Sequence, residues 1–230
     1  MTVIAIDGPS GSGKSTISRL LAHETHLPYL DTGAMYRAVA LFAVQSGIDL
    51  HDAALVEKCA DDLQLELTNE GEKSELKQRV LINGTDVTFD IRTMEMSQSA
   101  SIIAVHPGVR KRLVQRQRDW VAEHGGGVVE GRDIGSVVFP NATLKVFLTA
   151  NEEERAKRRQ QDVAAPEFAN LSHADTQKEM AKRDKRDSSR EVSPLQATDD
   201  AVVVDTSHKD IHEVVDTIMT ELRRRQEVGS

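Results

Sequence analysis

Residues 8 to 16 read Gly8-Pro9-Ser10-Gly11-Ser12-Gly13-Lys14-Ser15-Thr16. The spacing is G-x-x-x-x-G-K-[ST], a P-loop. Each residue type in it has a physical task. Glycines let successive backbone N–H groups turn inward, because no Cβ stands in the way. Lys14 has the reach to meet β- and γ-phosphate oxygens, and the Ser15 hydroxyl can ligate Mg²⁺. The flanks agree with this chemistry. Val3-Ile4-Ala5-Ile6 reads as a buried strand delivering the loop, and Ile17, Leu20 and Leu21 share one face of a helix leaving it. The N-terminus of that helix adds partial positive charge where phosphate oxygens would sit. A glycine-rich turn can be only a turn. The Lys-Ser pair, with a strand before it and a helix after it, predicts a nucleoside triphosphate site formed by residues 8 to 16, with Ser15 as the metal ligand.

Three other clusters suit phosphate or base chemistry. Asp31-Thr32-Gly33-Ala34-Met35-Tyr36-Arg37 follows a second apolar run. Arg37 lies one helical turn past Gly33 and could clamp a second phosphate bidentately, unless it is a surface arginine on a helix start. Glu130-Gly131-Arg132-Asp133-Ile134-Gly135 ends a third apolar run. Arg132 suits a phosphate. Asp133 suits an exocyclic amine, such as that of cytosine, or a place near Mg²⁺. The segment 152–190 holds ten Lys/Arg and nine Asp/Glu. Arg155, Arg158 and Arg159 fall at i, i+3, i+4, and Arg183, Arg186 and Arg190 at i, i+3, i+7, each set on one helix face. Such a run is either a solvated surface or a lid over phosphates. The P-loop favours the lid, with the loop from Asp162 to Leu171, containing Pro166, joining its two helices.

These groups need a scaffold. Val3–Ile6, Leu27–Leu30, Val128–Glu130, Leu144–Leu148 and Ala201–Val204 read as five buried parallel strands. Helical patterns follow Lys14 and Gly33 and cover 52–63, 94–105, 107–124 and 152–161. The last helix starts near Ser207 and Asp210 and carries Ile211, Val214, Val215, Ile218 and Leu222 on one face. Alternation of strand and helix predicts an α/β fold with a five-stranded parallel sheet flanked by helices. Residues 64–90 break the rhythm. Leu65, Leu67 and Thr68 alternate with polar neighbours, Asn69 to Ser74 reads as a turn, and strands at Leu76–Ile82 and Val87–Phe89 flank Asn83-Gly84, a hairpin signal. The expectation there is a small antiparallel insert.

Composition narrows the function. The 230 residues suit one domain, with 39% hydrophobic and 29% charged residues. A net charge of −8 and 3% aromatics argue against a nucleic-acid surface. Cys59 is the single cysteine, so no internal disulfide forms. It sits among Val56, Ala60 and Leu63 and reads as buried and inert. No apolar run approaches a membrane span, and the eight histidines show no metal-ligand spacing. With no basic-then-apolar leader, a cytoplasmic location is expected.

The combination of motifs resembles bacterial cytidylate kinases, of the nucleoside monophosphate kinase group, over nearly the whole chain. The P-loop is shared by many families. The specific parts are residues 31–37, the stretch from Ser101 through His106-Pro107-Gly108-Val109-Arg110, residues 130–135 with Val137-Val138-Phe139-Pro140, and residues 183–190. The insert at 64–90 looks like the extra small sheet of that family. The resemblance implies a P-loop NTPase fold and transfer of the γ-phosphoryl group from ATP, with Mg²⁺, to CMP or dCMP. It implies that Ser101, Arg110 and Asp133 read cytosine, that Arg37 and Arg132 hold the CMP phosphate, and that Thr32 and Tyr36 line the acceptor site. Thr32 stands where the family often has serine and keeps the hydroxyl. Asp187 with Arg190 would hold the sugar, and Arg183 would bridge sugar and phosphate. Lys14, Arg132, Arg158 and Arg183 are the expected catalytic groups, with Arg159 on the ATP side of the lid. The expected division is a core (1–30, 107–150, 191–230), an acceptor region (31–106) and a lid (151–190), working as a monomer. The principal rival is a P-loop kinase for another small acceptor. A nucleotide switch would carry D-x-x-G and N-K-x-D motifs, and neither is present.

Overall fold

The computed structural model describes residues 1–71, 76–162 and 170–228. Five strands, β1 (Thr2–Asp7), β2 (Tyr29–Asp31), β6 (Gly126–Gly131), β7 (Leu144–Thr149) and β8 (Val202–Asp205), form one sheet in the order β2-β6-β1-β7-β8. All four pairings are parallel. The alternation of side chains along a strand divides the core in two. Ile4 and Ile6 of β1 point to α1 (Lys14–Thr25) and α8 (Ile211–Val228), where Leu21, Val214 and Ile218 are buried. Val3 and Ala5 point the other way, to α2 (Thr32–Gln45), α3 (Ala53–Asp62) and α5 (Pro107–Glu123). Cys59 is buried on that second side.

The sheet puts the expected site residues at one edge. The connection leaving central β1 runs to β2 on one side, whereas β7 and β8 lie on the other. Ligands of open α/β sheets bind outside the carboxyl ends of the strands at such a switch point. The P-loop follows β1, Thr32 follows β2 and Arg132 follows β6 at this edge.

Several helix starts follow from local chemistry. Asp31, Asp52 and Asn151 accept from backbone N–H groups three residues on, at 3.1, 3.0 and 2.8 Å. Pro107 occupies the first turn of α5. The insert is a three-stranded sheet of β3 (Leu65–Glu70), β4 (Lys77–Ile82) and β5 (Thr85–Asp86), turning at Asn83 (φ 49°) and Gly84 (φ 79°).

Three expectations are corrected. The hairpin's last strand is Thr85–Asp86, not Val87–Phe89. Beyond it the Thr88 hydroxyl accepts from the Val80 N–H at 3.0 Å, and a 3₁₀ turn at Asp90–Arg92 leads into α4 (Met94–Ile103). The second core strand is Tyr29–Asp31, displaced from Leu27–Leu30, because Leu27 and His26 still close the end of α1. Arg190 is not helical with Arg183 and Arg186, since α7 (His173–Ser188) is capped at Ser189. The expected turn at 69–74 and the loop at 162–171 with Pro166 lie partly outside the described residues.

Candidate active site

The loop after β1 folds as its glycines require. A Cβ on Gly8, whose φ is 150°, would lie 2.1 Å from the Leu148 carbonyl oxygen. Gly13 caps α1 in the left-handed region, with no side-chain hydrogen bond to the cap. The first-turn amides of α1 are thus not taken by a capping side chain. Lys14 Nζ donates to the Pro9 carbonyl at 2.7 Å. Burial and the neighbouring Arg132 guanidinium depress its pKa to about 7. Ser15 and Thr16 are exposed on the first turn of α1, and the Ser12 hydroxyl is buried with no partner among the described residues. The loop's tip is held by α7 and by α6 (Glu152–Gln160). Ser10 N–H donates to Asp184 at 3.3 Å, and Arg155, paired with Asp184, donates to the Ser10 carbonyl at 3.1 Å.

Facing this loop are the expected acceptor residues, in two contiguous groups. In the first, Arg110 pairs with Asp133 and lies over the Tyr36 ring, 5.8 Å from its centroid. Arg110 and Asp133 are buried and Tyr36 partly so, and desolvation raises the Tyr36 hydroxyl to about 12. Asp133 spends Oδ2 on Arg110, and its other oxygen takes no hydrogen bond among the described residues. In the second group Asp187, 3% exposed, is ringed by Arg132 at 3.1 Å, Arg183 at 3.8 Å, Arg190 at 3.8 Å and the Ser101 hydroxyl at 3.4 Å. Burial alone would raise its pKa, and the guanidiniums, Arg132 foremost, outweigh burial and hold the carboxyl below its usual range. Arg183 is itself lowered to about 9 by burial and by Arg132, and remains charged at neutral pH. Arg37 pairs with Asp31 at 2.8 Å beside these cations.

Thr32 sits 4% exposed, and its hydroxyl donates to the Glu130 carbonyl at 2.7 Å. The hydroxyl therefore locks the start of α2 to β6. The two neighbouring lid arginines diverge. Arg158 donates to the Thr206 hydroxyl at 2.8 Å and to its carbonyl at 2.6 Å, beside Gly13. Arg159 pairs with Asp162 at 2.8 Å and reaches Ser97 of α4 at 3.5 Å, on the Arg183 side.

Four residues at the site escape sequence reasoning. Thr206 touches the Ser12 and Thr149 carbonyls, both at 3.1 Å, as well as Arg158. Asp184 hides in a charge run. Gln78 of the insert pairs its side-chain amide with the Asp31 N–H at 2.9 Å and the Asp31 carbonyl at 3.3 Å, completing the open edge of β2. Asp7 accepts from the amides of Ile134 and Gly135 at 2.8 and 2.7 Å. Only Asp7 leaves a signal, a carboxylate immediately before the first P-loop glycine.

The chain matches the family model described as cytidylate kinase over residues 4–224. It belongs to the cytidylate kinase family. It is 44% identical over 227 residues to the cytidylate kinase of Bacillus subtilis (strain 168), covering 96% of each chain. It is 46% identical over 223 residues to a bifunctional pantoate ligase/cytidylate kinase of Trichormus variabilis, covering 97% of this chain and 41% of that one. The chain thus spans about two fifths of the bifunctional relative and nearly all of the Bacillus one. Two solved structures share the fold at low identity. One is an uncharacterized protein from Eubacterium ventriosum, at TM-score 0.53 and 14% identity over 97% of this chain and 99% of that one. The other is a gluconokinase from Sinorhizobium meliloti 1021, at 0.50 and 15% over 97% and 92%. Among the described residues no helix is long and apolar enough to cross a membrane.

Proposed function

We infer that this cytidylate kinase family member transfers the γ-phosphoryl group of ATP to CMP or dCMP, giving ADP and CDP or dCDP. The observation that carries the reading is the placement of the Arg110–Asp133 pair beside the Arg132–Arg183–Arg190 group, facing Lys14. A base reader and a phosphate clamp stand together opposite a triphosphate loop. A small non-nucleotide acceptor would not need the base reader.

The residue roles follow from charge and reach. Residues 8–16 would cradle the triphosphate, with Lys14 on the β- and γ-phosphates. Arg37 and Arg132 would exchange their carboxylate partners for the CMP phosphate. Asp133 Oδ1 would accept from the cytosine amine, with Arg110 and Ser101 completing the base edge. Asp187 with Arg190 would take the sugar, and Arg183 would span sugar and phosphate. Of the lid arginines, Arg158 is the one expected to be catalytic and Arg159 the one expected on the ATP side; the contacts of Arg158 beside Gly13 and of Arg159 with Ser97 favour the reverse division. The reaction needs two polyanions brought in line and neutralised, with little covalent work for the protein.

Mg²⁺ fits the donor end. Ser15 is exposed there, and its hydroxyl lies beside the buried Glu130 carboxylate. No group of three or more His, Cys, Asp or Glu side chains forms a cage among those residues, as suits an ion carried mainly by phosphates and water. When bound, the ion neutralises the charge shared by the β- and γ-phosphates.

Residues 151–190 act in this reading as a lid on a core (1–30, 107–150, 191–230) and an acceptor region (31–106). Gln98 of α4 donates to Glu179 of α7 at 3.0 Å, closing one side. The cavity among Ser10, Ser97, Arg159 and Arg183 is about 30 Å³, roughly one water, and in this reading α6 and α7 move outward to admit the nucleotides. The buried free thiol of Cys59 suits a reducing cytoplasm. The test is to mix ATP and CMP with the enzyme and resolve the products by ³¹P NMR. One CDP per ADP is expected. ADP without CDP would overturn the reading.

A further inference from the structure

Asp7 is a buried carboxylate with no place in the transfer chemistry above. It ends β1, one residue before Gly8. Pairing with Gly131 on one side and Phe147 on the other fixes its backbone at the centre of the sheet. Its two oxygens are divided between two consecutive amides. Oδ1 takes the Ile134 N–H at 2.8 Å and Oδ2 the Gly135 N–H at 2.7 Å. Those amides directly follow Arg132 and Asp133. Arg132 closes the link from the other end, donating to the Gly8 carbonyl. The loop that would meet CMP is therefore tied to the last residue of β1 and to the first residue of the loop that would meet ATP.

The arrangement is kept against an electrostatic cost. Burial pushes Asp7 up to about 6 in spite of its two amide donors. The charged groups that bear on it are Asp133, which adds to the rise, and Lys14, which opposes it. A space-filling role would be met by a neutral side chain at lower cost. The turn it holds is also unusual. Residues Ile134–Val138 form a single π-helical turn, with Val138 N–H donating to the Asp133 carbonyl at 3.2 Å and Phe139 N–H to the Ile134 carbonyl at 2.7 Å. An isolated π turn needs outside support, and Asp7 provides it at the turn's first two amides.

We propose that Asp7 is a positioning residue that sets the acceptor loop 132–135 at a fixed distance from the ATP loop, and so fixes where CMP is held. The proposal rests on the CMP kinase reading. In Asp7→Asn one oxygen becomes an NH₂ facing a backbone N–H. Since β1 is clamped on both sides, the acceptor loop is the part that must shift. Asp7→Ser keeps at most one of the two hydrogen bonds and serves as the second variant.

The experiment measures steady-state kinetics of both variants, with fold checked by circular dichroism. The expected result is a KM for CMP raised about tenfold, the value of one lost hydrogen bond. The KM for ATP should stay within about twofold, and the preference for CMP over UMP should narrow, which loss of stability alone would not cause. An unchanged KM for CMP, an equal rise for both substrates, or failure of both variants to fold would overturn the role. Wild-type turnover of CMP, measured first in the same assay, separates each of these outcomes from a failure of the proposed reaction.

Discussion

Asp187→Asn isolates the charge that holds the acceptor cations together. The substitution keeps shape and the possibility of a bond to Ser101, and removes the negative charge from among Arg132, Arg183 and Arg190. Asp187 is 3% exposed, so the small value of a surface ion pair does not apply. Removing one partner of a buried pair costs about 3–5 kcal/mol. Arg132 retains the Gly8 carbonyl and Arg190 the Asp187 carbonyl, which favours the lower end, about 3 kcal/mol. For a chain of this length that is a fall in melting temperature of about 6–12 °C. The pH dependence has a definite sign. The folded-state pKa of Asp187 lies below the ordinary 3.8, so its stabilisation is present above that value and is lost as pH falls through the folded pKa. Urea unfolding of the ligand-free proteins should show a constant wild-type advantage from about pH 5 to 8 that closes below about pH 4. A loss under about 1 kcal/mol, or a gap that widens on acidification, would refute the claim that Asp187 neutralises this cluster.

Three further outcomes follow from the site. Lys14→Ala should lower kcat by about 10²–10³-fold with the melting temperature nearly unchanged, because Lys14 meets a loop carbonyl and not the core; near-normal turnover would remove it from the mechanism. Asp133→Ala should lose efficiency with CMP far more than with UMP, narrowing their ratio by about 1–3 kcal/mol, whereas an equal fall would point to a metal or structural role. Hydrogen exchange across 152–190 should gain protection on saturation with ADP and CDP while Val3–Ile6 changes little, and unchanged exchange there would return the arginines to a surface role.

Much of this architecture is legible in the residues. The P-loop, the five apolar runs and the Asn83-Gly84 turn rest on local rules, namely backbone sterics, side-chain alternation and positive φ. The arginines too are visible as a spaced set. Their long-range partners are not, because Asp187 meets Arg132, Asp184 meets Arg155 and Thr206 meets Arg158 only through the tertiary fold. For the same reason the charge run does not show that the lid arginines already have protein partners. Arg155, Arg158, Arg159, Arg183 and Arg190 are all engaged by protein oxygens. Asp184 and Asp187 sit within the same charge run as the arginines, and a linear count cannot tell which charges of a run face one another. Gln78 is invisible for a different cause. A side-chain amide replacing a missing strand at the β2 edge has no sequence signature.

The central claim is that the Arg110–Asp133 pair makes the acceptor a cytosine nucleotide. A coupled ADP-release assay across CMP, dCMP, UMP, AMP and GMP tests it most directly. CMP and dCMP should give the highest kcat/KM, UMP less, and the purines little, since a pocket built for a pyrimidine edge does not admit them. AMP phosphorylated as fast as CMP would contradict it.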